Sequence, residues 1–268
     1  MLNSDQIQSA ADLLWKHWSE GRRLAALPQP LRPSSRGEGY RVQGMVEKHS
    51  PHPPIGWKIA ATSSAGQKHI GVDGPLAGRL LAERVFPSGA TLRFGANHMR
   101  VVEPEFAFRM ARELAPRGTP YPVDEVLAAV GTLHPALEIP DSRYADFTTV
   151  GAPQLIADNA CAHEFVLGAP APDSWRTLDL AAHRVLVRVS AGTVVTLERE
   201  GLGANVLGDP RIALTWLVNE LSGLGHALLA GQVVTTGTCA VPLAVIPGDS
   251  VSADFGALGT VSLRFASA

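Results

Sequence analysis

A chain of 268 residues, 46% hydrophobic and 18% charged, carries enough apolar material for one large core and too little charge to resemble a disordered segment. A formal net charge of −2, with no Lys/Arg run beyond Arg22-Arg23, argues against a nucleic-acid partner. No unbroken apolar stretch reaches the roughly 18 to 20 residues of a membrane helix, and "MLNSDQIQSAADLL" lacks the basic patch and apolar run of a signal peptide, so a cytoplasmic protein without a membrane partner is expected.

The first predicted element is a helix. Asn3 and Gln6 make a capping box, and Ile7, Ala11, Leu14, Trp15 and Trp18 recur at helical spacing up to Gly21. A connector, "LPQPLRPSSRG", follows, and Ser35 with Glu38 offers a second capping box for a helix to about His49. "SPHPPIG" then excludes helix interior. From Ile55 onward short strands dominate: "IGWKIAAT", "GATLRFG", residues 100–110 and 132–139, with a short helix in "SSAGQKHIGV" and another at about 122–130. Further strands are expected near 163–168, 178–190 and 193–199. A helix capped by Asp209, with Pro210 in its first turn, runs to about Leu224, and "QVVTTGT", "DSVSADF" and "GTVSLRF" close the chain as strands. Without βαβ repetition, internal repeats or heptads, this pattern is an α+β chain: a helical N-terminal region on a mixed, mostly antiparallel β core. We divide it into residues 1–85, the helical region with the first strand of the candidate site, and residues 86–268, the β core. Cys161 and Cys239 form no CxxC pattern and are expected to be small buried residues rather than zinc ligands or a disulfide.

The run "VVEPEFAF" raises a chemical question. On a strand, Val102, Pro104, Phe106 and Phe108 share one face while Glu103, Glu105, Ala107 and Arg109 share the other. Two carboxylates so placed repel unless a cation or hydrogen bonds intervene. One reading is a solvated face with Arg109 as counter-charge. The second run "GTLHPALEIPDSRY" supplies another: Leu133, Pro135, Leu137 and Ile139 face one way, His134, Ala136 and Glu138 the other. If the strands are neighbours, Glu103, Glu105 and Glu138 converge, and three oxygen donors suit a hard divalent ion, Mg²⁺ or Mn²⁺, with positions left for water or substrate. His134 is a further possible ligand, although a strand histidine is more often a hydrogen-bonded structural residue.

These motifs in this order, "GWKIAATSSAGQKHIGVDGPLAGRLL", "VVEPEFAF", "HPALEIPDSRY", "IADNA", "GLGANVLGDP" and the ending "PGDSVSADFGALGTVSLRF", resemble the 2-keto-4-pentenoate hydratase and 4-oxalocrotonate decarboxylase family of the fumarylacetoacetate hydrolase superfamily. The resemblance spans nearly the whole chain. It implies a β-roll core, a homo-oligomer, and Mg²⁺ or Mn²⁺ on Glu103, Glu105 and Glu138. It implies an active-site role for Lys58, and a substrate-pocket role for Thr236, Gly237 and Thr238, where relatives carry Ser-Gly-Ser. Asp158-Asn159 is either a helix cap or a polar pocket wall, with Asn159 the substrate-binding candidate. The implied substrate is a small 2-oxo or 2-hydroxy carboxylic acid from aromatic catabolism, and the implied reaction is addition of water to a 2-hydroxy-2,4-dienoate. The alternatives are decarboxylation of a 2-oxo-enedioate, C–C hydrolysis of an acylpyruvate, or a non-catalytic, metal-bound partner of a decarboxylase. For a dioate, Arg79, Arg109 and Arg143 are candidates for the second carboxylate.

One departure matters. Leu76 stands where the family pattern has an acid after "GVD", so proton transfer would pass to Asp73, His69 or a metal-bound water; Asp73 is the catalytic candidate. Two other motifs are set aside: "GLGANVLG" has Val206 in place of the third glycine of a dinucleotide fingerprint, and "DFG" at 254–256 lacks every other kinase signature.

Overall fold

The capping box at Asn3 and Gln6 forms as expected, with each side chain bonded to the other's backbone N–H at 2.9 Å, and starts α1 (Ser4–Ser19). In the computed structural model, which describes residues 1–267, α1 packs against α2 (Arg36–Glu47), and Ile7, Ala11, Leu14, Trp18, Val42 and Val46 form an N-terminal apolar cluster with Tyr144 and Ala157. The second capping box is only half made. Ser35 accepts from the Glu38 N–H, but the Glu38 carboxylate turns to the Leu2 and Ser34 N–H groups, which hold its pKa down at about 2.

The chain then runs through β1 (Gly56–Ala60), α3 (Ser64–His69), β2 (Leu76–Leu80), β3 (Val85–Pro87), β4 (Ala90–Leu92), β5 (Val101–Met110), α4 (Val123–Ala128), β6 (Val130–Ile139), α5 (Ala152–Ala157) and β7 (Glu164–Leu167). It continues with β8 (Arg184–Ala191), β9 (Val194–Leu202), α6 (Pro210–Gly223), β10 (Val233–Thr238), β11 (Leu243–Ala244), β12 (Asp249–Asp254) and β13 (Thr260–Phe265). Strand β2 was not among the expected elements, because "VDGPLAG" reads as a turn. The strand expected at 178–190 begins only at Arg184: the Asp179 carboxylate accepts from the Ala182 N–H and closes a turn there.

An eight-stranded sheet runs β2-β1-β10-β5-β6-β7-β3 with β11 also on β5, and a five-stranded sheet runs β4-β13-β12-β8-β9. Among the described residues, parallel pairing occurs between β1 and β10, β3 and β7, and β4 and β13; the remaining ladders are antiparallel, giving the mixed sheet expected. The main core lies on one face of the larger sheet, where Val102, Phe106, Phe108, Leu133 and Leu137 join Val187, Val189, Val251 and Leu263 of the smaller sheet and Leu214, Leu217 and Leu221 of α6. Phe106 meets Phe255 edge to face at 5.3 Å, and full burial of one such side chain contributes about 1.5–3 kcal/mol. Cys161 and Cys239 are buried free thiols. No helix among the described residues is long and apolar enough to cross a membrane.

Candidate metal centre

Strand register decides what occupies the opposite face of the larger sheet. Residues directly opposite one another share a face. Antiparallel pairing sets Glu103 against Glu138 and Glu105 against Ala136, while β1 sets Lys58 against Thr235 of β10 and Gly78 of β2. The acids and the lysine therefore project from one side, above a small apolar cluster of Leu80, Ala107, Ala136, Phe165 and Val233.

The three carboxylates offer oxygen atoms within 4.8 Å of one another. Glu105 and Glu138 are buried and Glu103 is half-buried. Glu105 Oε2 accepts from the Thr235 hydroxyl and, at 2.8 Å, from the Gly237 N–H. A register shift between Thr235 and Thr238, with Gly237 at φ +93°, bends the backbone so that this N–H faces the acid. A Cβ on Gly237 would lie 2.2 Å from Thr62 Oγ1, so only glycine fits. Glu105 Oε1 and both Glu138 oxygens have no hydrogen-bond donor. Lys58 Nζ lies 3.1 Å from Glu138 Oε1, an ion pair outside the geometry of an aligned hydrogen bond, and donates to the Ala160 carbonyl at 3.1 Å. Buried acceptors without donors are costly, and a divalent ion shared by hard oxygen donors would satisfy them; the residues fit Mg²⁺ or a similar cation.

Electrostatics agree. Burial, reinforced by Glu138 and only partly offset by Lys58, pushes the Glu103 carboxyl up to about 7. Burial, then Glu138 and Glu103, raise the Glu105 carboxyl well above the usual range. For Lys58, burial works to lower the pKa, but Glu138, Glu105 and Glu103 outweigh it and hold the ammonium charged. A cation on the trio would act in the opposite direction, because compensating the trio's charge removes what raises the lysine.

The other candidates separate. Asp73 has a side chain 90% exposed, stands 3.9 Å from Arg36 and is not among the acids gathered with Glu103, Glu105 and Glu138. The Asn159 side chain spends its polar atoms on β2, accepting from the Arg79 N–H at 2.7 Å and donating to the Arg79 carbonyl at 2.9 Å. Thr236 donates to the Phe106 carbonyl at 3.0 Å, and Thr238, half-buried, donates to the Ala240 carbonyl at 2.7 Å. His134 is occupied by Thr132 Oγ1 and the Gly168 carbonyl. Leu76 is fully buried on β2, two residues along the ladder from Gly78. Among the arginines, Arg79 pairs with Glu47 and stacks on Trp57, Arg143 pairs with Asp158, and Arg109 is exposed and bonded to the Gly231 carbonyl. Two contributors escaped the sequence reading: Thr235, whose place opposite Lys58 depends on a long-range register, and the Ala160 carbonyl, which no side-chain motif announces.

No protein-family model matches the chain. It is 32% identical over 270 residues to a 2-keto-4-pentenoate hydratase of Paraburkholderia xenovorans, with 99% of this chain and 97% of the relative covered. It is 33% identical over 209 residues to a 4-oxalocrotonate decarboxylase of a Pseudomonas species, covering 78% of this chain and 77% of the relative. A 4-oxalocrotonate decarboxylase structure from Pseudomonas putida G7, complexed with magnesium and adipate, superposes with a TM-score of 0.87 at 25% identity over 99% of both chains. The fold is that of the fumarylacetoacetate hydrolase type, and the chain belongs to the 2-keto-4-pentenoate hydratase and 4-oxalocrotonate decarboxylase family.

Proposed function

We propose that the protein is a metal-dependent hydro-lyase that adds water to a 2-hydroxy-2,4-dienoate, through its 2-oxo-4-enoate form, to give a 4-hydroxy-2-oxo acid. The single observation that carries this reading is the set of buried, donor-free carboxylate oxygens of Glu105 and Glu138, facing Glu103 and Lys58, in a chain with full-length relatives at 30–32% identity that are named as hydratases. Glu103, Glu105 and Glu138 would hold Mg²⁺ or Mn²⁺, which when bound polarises the substrate's 2-oxo group and stabilises negative charge as it develops there. Thr235 and Gly237 fix the orientation of Glu105, so its free oxygen stays directed at the site. Lys58 Nζ, anchored on the Ala160 carbonyl, holds a proton beside the acids and serves to neutralise the substrate's oxygen or shuttle its proton. Gly237 and Thr238 form the adjoining pocket wall, with Thr236 fixing that strand from behind, and Asn159 shapes the wall through its backbone. Asp73, exposed beside Arg36, remains the side-chain candidate for proton transfer in place of the acid that Leu76 replaces.

A second reading, decarboxylation of a 2-oxo-enedioate, is favoured by Leu76, which cannot carry a proton, and by the likeness to the decarboxylase structure. Against it, neither Arg79 nor Arg143 is free of an acidic partner, and Arg109 is exposed. The names of the relatives give no support to a non-catalytic partner. The test is incubation of the protein and Mg²⁺ with 2-hydroxypenta-2,4-dienoate. Loss of diene absorbance with formation of the 4-hydroxy-2-oxo acid is expected. CO₂ release from a 2-oxo-enedioate without dienoate turnover would transfer the assignment to the decarboxylase, and no turnover of either with metal bound would overturn both. We further propose a cytoplasmic homo-oligomer; a monomeric mass in solution would contradict the second part.

A further inference from the structure

Behind Lys58 the backbone does something costly. Asn159, Ala160 and Cys161 follow one another with φ of +54°, +50° and +61°, a left-handed run of three residues without a glycine. Side chains crowd the backbone in this region, so such a run persists only where its surroundings enforce it. Its product is the Ala160 carbonyl, set 3.1 Å from Lys58 Nζ.

Arg143 and Asp158 enforce it. The Asp158 carboxylate accepts from Arg143 Nε, from the Arg143 N–H at 3.0 Å and from Ser142 Oγ at 2.7 Å. Arg143 Nη1 donates to the Ala162 carbonyl and the Asp141 carbonyl, each at 2.9 Å, and Nη2 to the Asp158 carbonyl. One guanidinium thus grips the carbonyls on both sides of the left-handed run. Its own plane lies over the Trp18 ring, with Cζ 4.4 Å from the centroid, which ties the grip to α1. From the other side Asn159 bridges to the backbone of Arg79, and Gly78, opposite Lys58, leaves room that a Cβ would deny by lying 2.4 Å from the Asn159 carbonyl. Both members of the pair are buried and neither has an atom spare for substrate.

We propose that Arg143 and Asp158 are positioning residues for Lys58: the pair locks the left-handed turn so that the Ala160 carbonyl holds Nζ at the acidic trio. The inference rests on the functional reading above for its kinetic arm alone. The pair touches none of the three acids, so the metal site and the lysine's anchor are separable.

The experiment compares wild type with Arg143→Lys and with the double variant Arg143→Lys/Ala160→Gly. Glycine adopts a positive φ without the side-chain penalty, so it should restore a turn that has lost its clamp, whereas it cannot repair a merely unpaired buried charge. In folded Arg143→Lys, hydrogen exchange at the Cys161 and Ala162 amides, which bond the Asp158 and Asn159 carbonyls, should quicken by about 10-fold or more. The value of kcat should fall on the order of 10-fold or more with KM and Mn²⁺ affinity within about threefold. Ala160→Gly should recover at least about a third of both losses on a logarithmic scale. Should Arg143→Lys not fold, Ser142→Ala, which removes one bond to Asp158, carries the same readouts with a smaller expected change. Unchanged exchange and kcat in the folded variant, Mn²⁺ affinity lost in step with kcat, or no recovery with glycine would each overturn the proposal. If wild type turns over no oxo acid, the functional reading falls while the exchange measurements still decide the clamp.

Discussion

In β5 the run Glu103-Pro104-Glu105, and in β9 the run Glu198-Arg199-Glu200, each set two glutamates on one strand face. In β9 both are exposed, and the neighbouring strand supplies an arginine to each: Arg188 Nε lies 2.5 Å from Glu198 and Arg184 Nη1 lies 3.1 Å from Glu200. In β5 the paired strand supplies a third acid instead, and the nearby cation, Lys58, lies against Glu138. Spacing alone therefore does not mark a metal site. Burial and the sign of the cross-strand partner do, because water and arginine already satisfy the β9 acids whereas the β5 set retains donor-free oxygens.

Substitutions can break this contrast at several strengths. Lys58→Met should have the largest effect, lowering kcat about 10²- to 10⁴-fold if its proton is used in the reaction, with the variant retaining divalent metal by calorimetry. Thr235→Val keeps the shape but removes a donor from Glu105, and metal affinity should fall roughly 10- to 100-fold, as measured by Mn²⁺ titration. Chelation gives a third, pH-dependent effect. Glu103, near 7, and Glu105, also raised by burial and by the neighbouring acids, bind protons more tightly folded than unfolded, so the metal-free fold loses stability as pH rises through about 7. A chelator should thus lower Tm further at pH 8 than at pH 6, by on the order of 2–4 °C, measured by calorimetry. At the bottom of the scale, Glu198→Gln should shift stability by less than about 1 kcal/mol and leave metal binding and turnover unchanged, since exposed ion pairs contribute little.

Much of the trio was legible because strand parity separates Glu103, Glu105 and Glu138 from the apolar residues between them, whatever the register. That the two strands are neighbours had to be supplied by the fold or by resemblance. Lys58 was visible only through the family-like "GWKI"; nothing in its local pattern distinguishes it from a lysine reaching for solvent. Arg143, one of three candidate arginines, could not be placed from sequence for a physical reason. A sequence shows a charge but not its partner, and Asp158, 15 residues onward, takes the guanidinium that was considered for a substrate carboxylate. Thr235 and the Ala160 carbonyl depend on a parallel pairing of β1 with β10 and on a left-handed turn without glycine, and neither leaves a local signature.

The proposed function requires Glu103, Glu105 and Glu138 to form one cation site. A calorimetric titration of wild type and Glu105→Gln with Mn²⁺, each first confirmed folded by circular dichroism, tests it most directly. One ion per chain in wild type and none in the variant at the same concentrations is the predicted result; equal binding by the two proteins would contradict it.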